Sequence, residues 1–426
     1  MDTKKLERQS GTERHDAYAA WRFRDFRLLL VGSLLANMGR NMLSIAVGWE
    51  IYERTGSAMA LGWVGLINAL PVIVFSMPAG HLADRLERRR IVWLTEVSLA
   101  VVSFAMAYVS LRHAPVSFLY ICLFLGSVLH AFNGAASSSL LPLTVPGEIF
   151  GNAITWKSSS FQIASVAGPA VGGLMIAMLG GAAGVYAANG IASILYAAFV
   201  FAMSHRPVQR EAEPVTLRTL AAGFQYVWKT KIILSTITLD LFAVLFGGAT
   251  ALLPIFAKDI LHVGPTGLGW LRAAPAVGSF LMAMVIAHVP LKNNVGKKLM
   301  WAVAGFGVAT IVFGFSKSYW LSLAMLFLTG ALDNISVVVR HSLVQLCTPD
   351  AMRGRVSAVN NVFISSSNEL GAFESGLMAA FFGAVFSVVS GGAGTLVVVV
   401  LTARIWPEIL ALKSLDGSGV DGKDTS

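Results

Sequence analysis

The sequence predicts an all-α polytopic membrane protein of twelve transmembrane helices in two pseudo-symmetric six-helix bundles. The 426 residues are 55% hydrophobic and only 13% charged, with a mean hydropathy of +0.68, whereas a soluble domain carries about 25% charged residues. Apolar runs long enough to cross a hydrocarbon core of about 30 Å recur along the whole chain. The longest hydrophilic interruption, His205 to Thr230, divides them six and six. A backbone in lipid must satisfy its own hydrogen bonds, so runs this long and this apolar are helices.

Residues 1–25 form a polar tail with no short apolar core or small-residue cleavage site. No removable signal peptide is expected, and the first span serves as the insertion signal. The spans then fall at about 27–50, 60–83, 91–111, 116–140, 153–179, 183–203, 232–257, 267–289, 299–316, 319–346, 356–382 and 385–405. The last two are divided mainly by Ser390-Gly391-Gly392. This gives a first bundle over 26–204, a central loop over 205–230, a second bundle over 231–406 and a C-terminal tail over 407–426. An even number of spans puts both termini on one side. That side receives 24 Lys and Arg against 4 on the other, so both termini and the central loop are expected in the cytoplasm.

The formal charge of +9 is spread over these short connecting segments, which speaks against nucleic acid as a partner. Cys122 and Cys347 lie in or at the end of apolar runs and suggest neither a disulfide framework nor a metal site. There is no Walker loop, no HExxH and no Cys or His pair at ligand spacing. No enzyme activity, cofactor or metal is therefore expected.

The halves resemble each other at an offset of 203 residues. Leu123-Phe124-Leu125 meets Leu326-Phe327-Leu328, Ser139-Leu140 meets Ser342-Leu343, Pro146 meets Pro349, Gly151 meets Gly354, and Gly168 meets Gly371. One unbroken register over so long a stretch reads as an internal duplication.

Between the second and third spans lies Gly80-x-x-x-Asp84-Arg85-x-x-Arg88-Arg89-Arg90. This loop is similar to the signature of the major facilitator superfamily, and its second copy, Leu291 to Lys298, keeps the basic end without the aspartate. In the fifth span, Ala164-x-x-x-Gly168-Pro169-x-x-Gly172-Gly173 resembles the motif of antiporter-type exporters, with Ala164 in place of the leading glycine. The fourth span has His130-x-x-Asn133-Gly134 where many drug antiporters have an arginine and a glutamine. Together with Pro349-Asp350-x-x-Arg353-Gly354-Arg355 and Ser367-Asn368-Glu369-Leu370-Gly371, the chain resembles the enterobactin-exporter and macrolide-efflux branch of transmembrane secretion effectors. The resemblance implies a bacterial-type inner membrane, a central cavity lined by helices 1, 4, 7 and 10, and export of small molecules.

Charges inside spans are costly and normally face a cavity or a partner. Asn37, Arg40, Asn41, Ser44 and Gly48 share one face of the first helix. His130, Asn133, Gly134 and Ser137 form a stripe on the fourth, and Asp333, Ser336 and Arg340 one on the tenth. His130 and Asp333 occupy equivalent positions of the duplication. Asp240 and Glu369 complete the buried carboxylates. Asp240, Asp333 or Glu369 is expected to exchange the coupling proton, with His130 as a further candidate and Arg40 or Arg340 as counter-charge. Asn37, Asn41 and Asn133 are expected in the substrate cavity. Asp333 and Arg340, two turns apart on one face, alternatively form a fixed structural pair through a neighbour. In the loop, Gly80, Asp84, Arg85, Arg88 and Arg89 read either as a latch that breaks when the halves rock or, for the arginines, as simple positive-inside charge. Gly168, Pro169, Gly172 and Gly173 permit close helix packing and a bend.

The expected function is export of a moderately large, partly apolar molecule, such as a siderophore, macrolide or drug, by alternating access and proton antiport. A lysophospholipid or other lipid flippase is the alternative, followed by a non-transporting receptor or scaffold. The expected partners are the solute, the proton and the bilayer; the sequence leaves the oligomeric state open, and a monomer suffices.

Overall fold

A computed structural model describes residues 16–204, 224–289 and 294–412. Most of the central loop and residues 291–293 of the second loop copy lie outside these, as do the side chains of Asp84 and Arg85. Among the described residues, twelve long helices follow one another: α1 (Arg24–Thr55), α2 (Ala58–Arg85), α3 (Arg88–Leu111), α4 (Val116–Ser138), α5 (Phe150–Leu179), α6 (Ala183–Phe201), α7 (Lys231–Phe246), α8 (Gly264–His288), α9 (Val295–Phe315), α10 (Tyr319–Leu346), α11 (Asp350–Phe382) and α12 (Ala384–Ile405).

Local chemistry sets the turns. Gly56, with φ of 58°, ends α1 in the left-handed conformation, and the Ser57 side chain then accepts from Ala60 N at 3.4 Å to start α2. Between α11 and α12 the break falls at Gly383, whose φ is +91°. This corrects the expected division at Ser390-Gly391-Gly392, which lies inside α12. Gly391 and Gly392 have another use: a Cβ there would run into Phe246 O of α7 and Gly307 O of α9, so their missing side chains let helices touch.

The seventh span also departs from the expected single run. After Phe246 the chain passes through a 3-10 segment (Gly248–Leu252), one α-turn (Leu253–Ile255) and a π-turn (Phe256–Ile260). Gly247-Gly248 and Pro254, which has no N–H to continue the helical ladder, disfavour a continuous helix. A Cβ at Gly248 would meet Gly371 O and Ser375 Oγ at 2.5 Å, so bare backbone there lets α11 pack against the break. Eleven segments among the described residues are long and apolar enough to cross a membrane, counting the broken seventh as one. The twelfth, α11, is too polar to qualify, because Asn368, Glu369 and their neighbours face other helices rather than lipid.

Helix pairings repeat between the halves. In the first, α1 packs on α5 and α6, α2 and α3 on α4, and α3 on α6; in the second, α7 packs on α11 and α12, α8 and α9 on α10, and α9 on α12. The most extensive contacts between halves are α2 with α11 and α5 with α8. Gly173 of α5 lies against Pro265 and Gly269 of α8, and Gly376 of α11 against Gly62 of α2. These two crossings are related by the same 203-residue offset, Gly173 to Gly376 and Gly62 to Pro265. Both lie toward the end away from the chain termini. There Gly48 approaches Pro254 at 3.2 Å from an added Cβ, Tyr52 Oη donates to Asp259, and the Lys258 ammonium stands 5.8 Å over the Tyr52 ring. The halves are thus clasped at the far end. At the near end an added Cβ on Gly80, Gly134, Gly151 or Gly354 would meet nothing within 4 Å.

Candidate transport cavity

A cavity lies along the seam between the halves, in three compartments of about 390, 330 and 170 Å³ that share lining residues. The first, on the α1–α4 side, is lined by Asn37, Arg40, Asn41 and His130 and reaches Glu369. The second, bounded by α7, α8 and α10, holds Arg272 and Asp333 and reaches Asn41. The smallest joins them through Asn68, Arg272 and Glu369.

The stripe on α1 points as its spacing requires. Asn37 Nδ2 donates to Ser33 O at 2.7 Å and Asn41 Nδ2 to Asn37 O at 2.9 Å. Each amide spends a donor on its own helix, which leaves its side-chain oxygen as an acceptor toward the cavity. Arg40, between them, is exposed to the cavity. Its charged neighbours are Glu369 of α11 and Glu96 of α3. Glu369 in turn has Arg40 of the first half, Arg272 of the second, and a hydrogen bond from Asn68 of α2. Asn68 is held by Ser127 Oγ, which donates to its Oδ1 at 2.7 Å. Glu369 is therefore a carboxylate on the seam, with one cation of each half among its charged neighbours.

Asp240 and Arg340 are placed differently. They form an ion pair between α7 and α10, with side chains only 6% and 4% exposed, inside the second half and outside the three compartments. Of the carboxylates for which Arg340 was a candidate counter-charge, it pairs with Asp240 and not with Asp333. Asn133 also turns away from the cavity. Its Nδ2 donates to Glu96 Oε1 and Thr95 Oγ1, both at 2.9 Å, tying α4 to α3.

In the loop, Arg89 Nε donates to Val200 O at 2.9 Å, the same guanidinium donates to Phe201 O, and it lies 5.8 Å from the Phe201 ring centre. It caps the C-terminal end of α6, where the free carbonyls attract a cation. Arg90 pairs with Glu87 at 2.6 Å. These contacts stay inside the first half. In α5, a Cβ on Gly168 would meet Asn41 Cβ at 2.6 Å and one on Gly172 would meet Met42 Cα at 2.9 Å, so both glycines seat α5 on α1; Gly173 and Pro169 O face Gly269 of α8.

Sequence reasoning missed Arg272 and Glu96. Both are lone charges within apolar runs, and the cost rule that singled out Arg40 and Asp333 applies equally to them.

The transmembrane secretion effector profile matches residues 15–417. The chain belongs to this family of the major facilitator superfamily. Among its relatives, the multidrug efflux pump Tap of Mycolicibacterium fortuitum is 26% identical over 366 residues, covering 83% of this chain and 88% of the pump. The enterobactin exporter EntS of Escherichia coli O1:K1 is 25% identical over 390 residues, covering 90% and 92%. The fold is shared with a bacterial homolog of the human lysosomal transporter Spinster, solved inward-facing and unoccupied (TM-score 0.71, 16% identity, 91% of this chain and 96% of that one). The nucleoside transporter NupG is comparably similar (TM-score 0.73, 12% identity, 90% and 99%). As a transmembrane secretion effector the chain is a multi-pass efflux transporter of small molecules, not an enzyme.

Proposed function

We propose that this transporter exports a partly apolar small molecule by alternating access, in exchange for protons taken up by Glu369. The observation that carries this reading is the position of Glu369 on the seam, between Arg40 on one half and Arg272 on the other. A carboxylate whose cationic neighbours sit on separate bodies changes surroundings whenever those bodies rock, which ties its proton to the conformation. Asp240 lacks this property, since its partner Arg340 belongs to the same half. The excess of Lys and Arg on the near-end segments makes that end cytoplasmic. The far-end clasp then corresponds to the inward-open, substrate-loading state.

The test is transport in liposomes holding the purified protein, with a catecholate siderophore, a macrolide and a lysophospholipid as solutes. With the far face acidified, a siderophore or macrolide is expected to move from the near face to the far face, and collapsing the gradient to stop it. Movement of lysophospholipid alone, unaffected by the gradient, would replace this reading with the lipid flippase.

A further inference from the structure

The intramembrane carboxylates are not equivalent in their surroundings. Asp240 has Arg340, Glu96 has the Asn133 amide, and Glu369 has two arginines and Asn68. Asp333 is half-buried, lines the 330 Å³ compartment, and has no ion-pair or hydrogen-bond partner among the described residues. The one cation in the wall of its compartment, Arg272, has Glu369 as its charged neighbour. An unpaired carboxylate at this depth is expensive, and a wall that keeps one is complementary to an incoming positive charge.

The rest of the compartment suits the remainder of such a ligand. Phe306 is half-buried and supplies apolar ring surface to the compartment, while Phe313 and Leu326 behind it are buried in the core, the Phe313 ring 4.6 Å from that of Phe256. Ring faces attract cations, more so when water is displaced. The volume lies within the about 300–1,000 Å³ of small-molecule pockets.

We propose that this compartment binds lipophilic cations, with Asp333 receiving the positive charge and Phe306 the apolar body. The assignment rests on the exporter reading above and divides the labour there: Asp333 holds the solute and Glu369 exchanges the proton. A same-shaped anion is repelled by Asp333 and is the natural control.

The test is equilibrium binding of tetraphenylphosphonium and tetraphenylborate, two ions of nearly the same shape and opposite charge, to the purified full-length protein, with protein-free micelles subtracted. Wild type is expected to bind the phosphonium at least about tenfold more tightly than the borate, as one desolvated charge contact would give. Asp333→Asn should lose about tenfold for the phosphonium, Asp333→Glu should retain most of it, and Phe306→Ala should weaken both ions alike. Equal wild-type affinity for the two ions would overturn the proposal even if Asp333→Asn did not fold, as would an Asn variant that binds the phosphonium like wild type. Glu369→Gln separates the two readings. Because Asp333 stays in place, Glu369→Gln should keep a preference for the phosphonium over the borate, weakened as Arg272 loses its charged neighbour, while losing proton-driven transport; proton-driven transport that survives in Glu369→Gln contradicts the coupling assignment and leaves the cation site standing.

Discussion

Breaking the Asp240–Arg340 pair from one side should cost more than removing both charges. Asp240→Asn or Arg340→Met strands a charge in a site less than a tenth exposed, a loss of about 3–5 kcal/mol, whereas the double change to Leu and Met should recover much of it. Thermal unfolding of the detergent-purified variants measures the difference, and additive losses would show that the ions do not stabilise one another in the fold. Asn133→Ala should cost about 1–3 kcal/mol in the same assay, because Glu96 and Thr95 lose a buried donor. At this scale the sequence named which residues matter better than what they do. Asp240, Asp333, Glu369, Arg40 and Arg340 were all visible as charges in apolar runs, yet pairing depends on helix rotation and neighbour choice, which one chain's spacing does not encode. Asp333 and Arg340 share a helix face, and the nearer partner came from α7. Arg272 was legible by the same rule: it is one of four cations, with Arg40, Lys157 and Arg340, that the count of Lys and Arg on the two sides leaves inside the spans.

Among elements, the α5–α8 and α2–α11 crossings hold the halves together at the far end through bare glycine surfaces. An added methyl at Gly173 or Gly376 would meet backbone closer than ordinary contact allows, so Gly173→Ala and Gly376→Ala should each push the far end apart. Cysteines placed at Thr250 in the cavity should then become several-fold more reactive toward a membrane-impermeant reagent added on the far face; unchanged reactivity would mean that the crossings tolerate the methyl without opening. Tyr52→Phe should act in the same direction by removing the hydrogen bond to Asp259, with a smaller effect because the glycine contacts remain. Glycine spacing in α5 announced close packing, and the structure supplies the partners: Gly168 and Gly172 against α1, Gly173 against α8. The broken seventh span was legible at Gly247-Gly248 and Pro254, which disfavour a continuous helix; what spacing does not show is that α11 packs into the break at Gly371. Likewise the glycine that ends α11 is told from those that pack α12 only by its φ of +91°.

For the whole molecule, the twelve spans and the duplication were readable because lipid enforces length and apolarity on every helix and because the 203-residue register survives in the sequence. What composition does not reveal is the conformation. That comes from contacts gathered at one end, which make Glu369 the meeting point of two bodies. The central claim is that the proton is exchanged there. The measurement that tests it most directly is proton movement, followed with a pH dye sealed in liposomes, on adding a transported siderophore or macrolide to wild type and to Glu369→Gln. Substrate-dependent proton flux in wild type that vanishes in Glu369→Gln, while Asp333→Glu keeps it, is the expected result. Wild-type transport at full rate with no proton flux, or an undiminished flux in Glu369→Gln, would contradict the account.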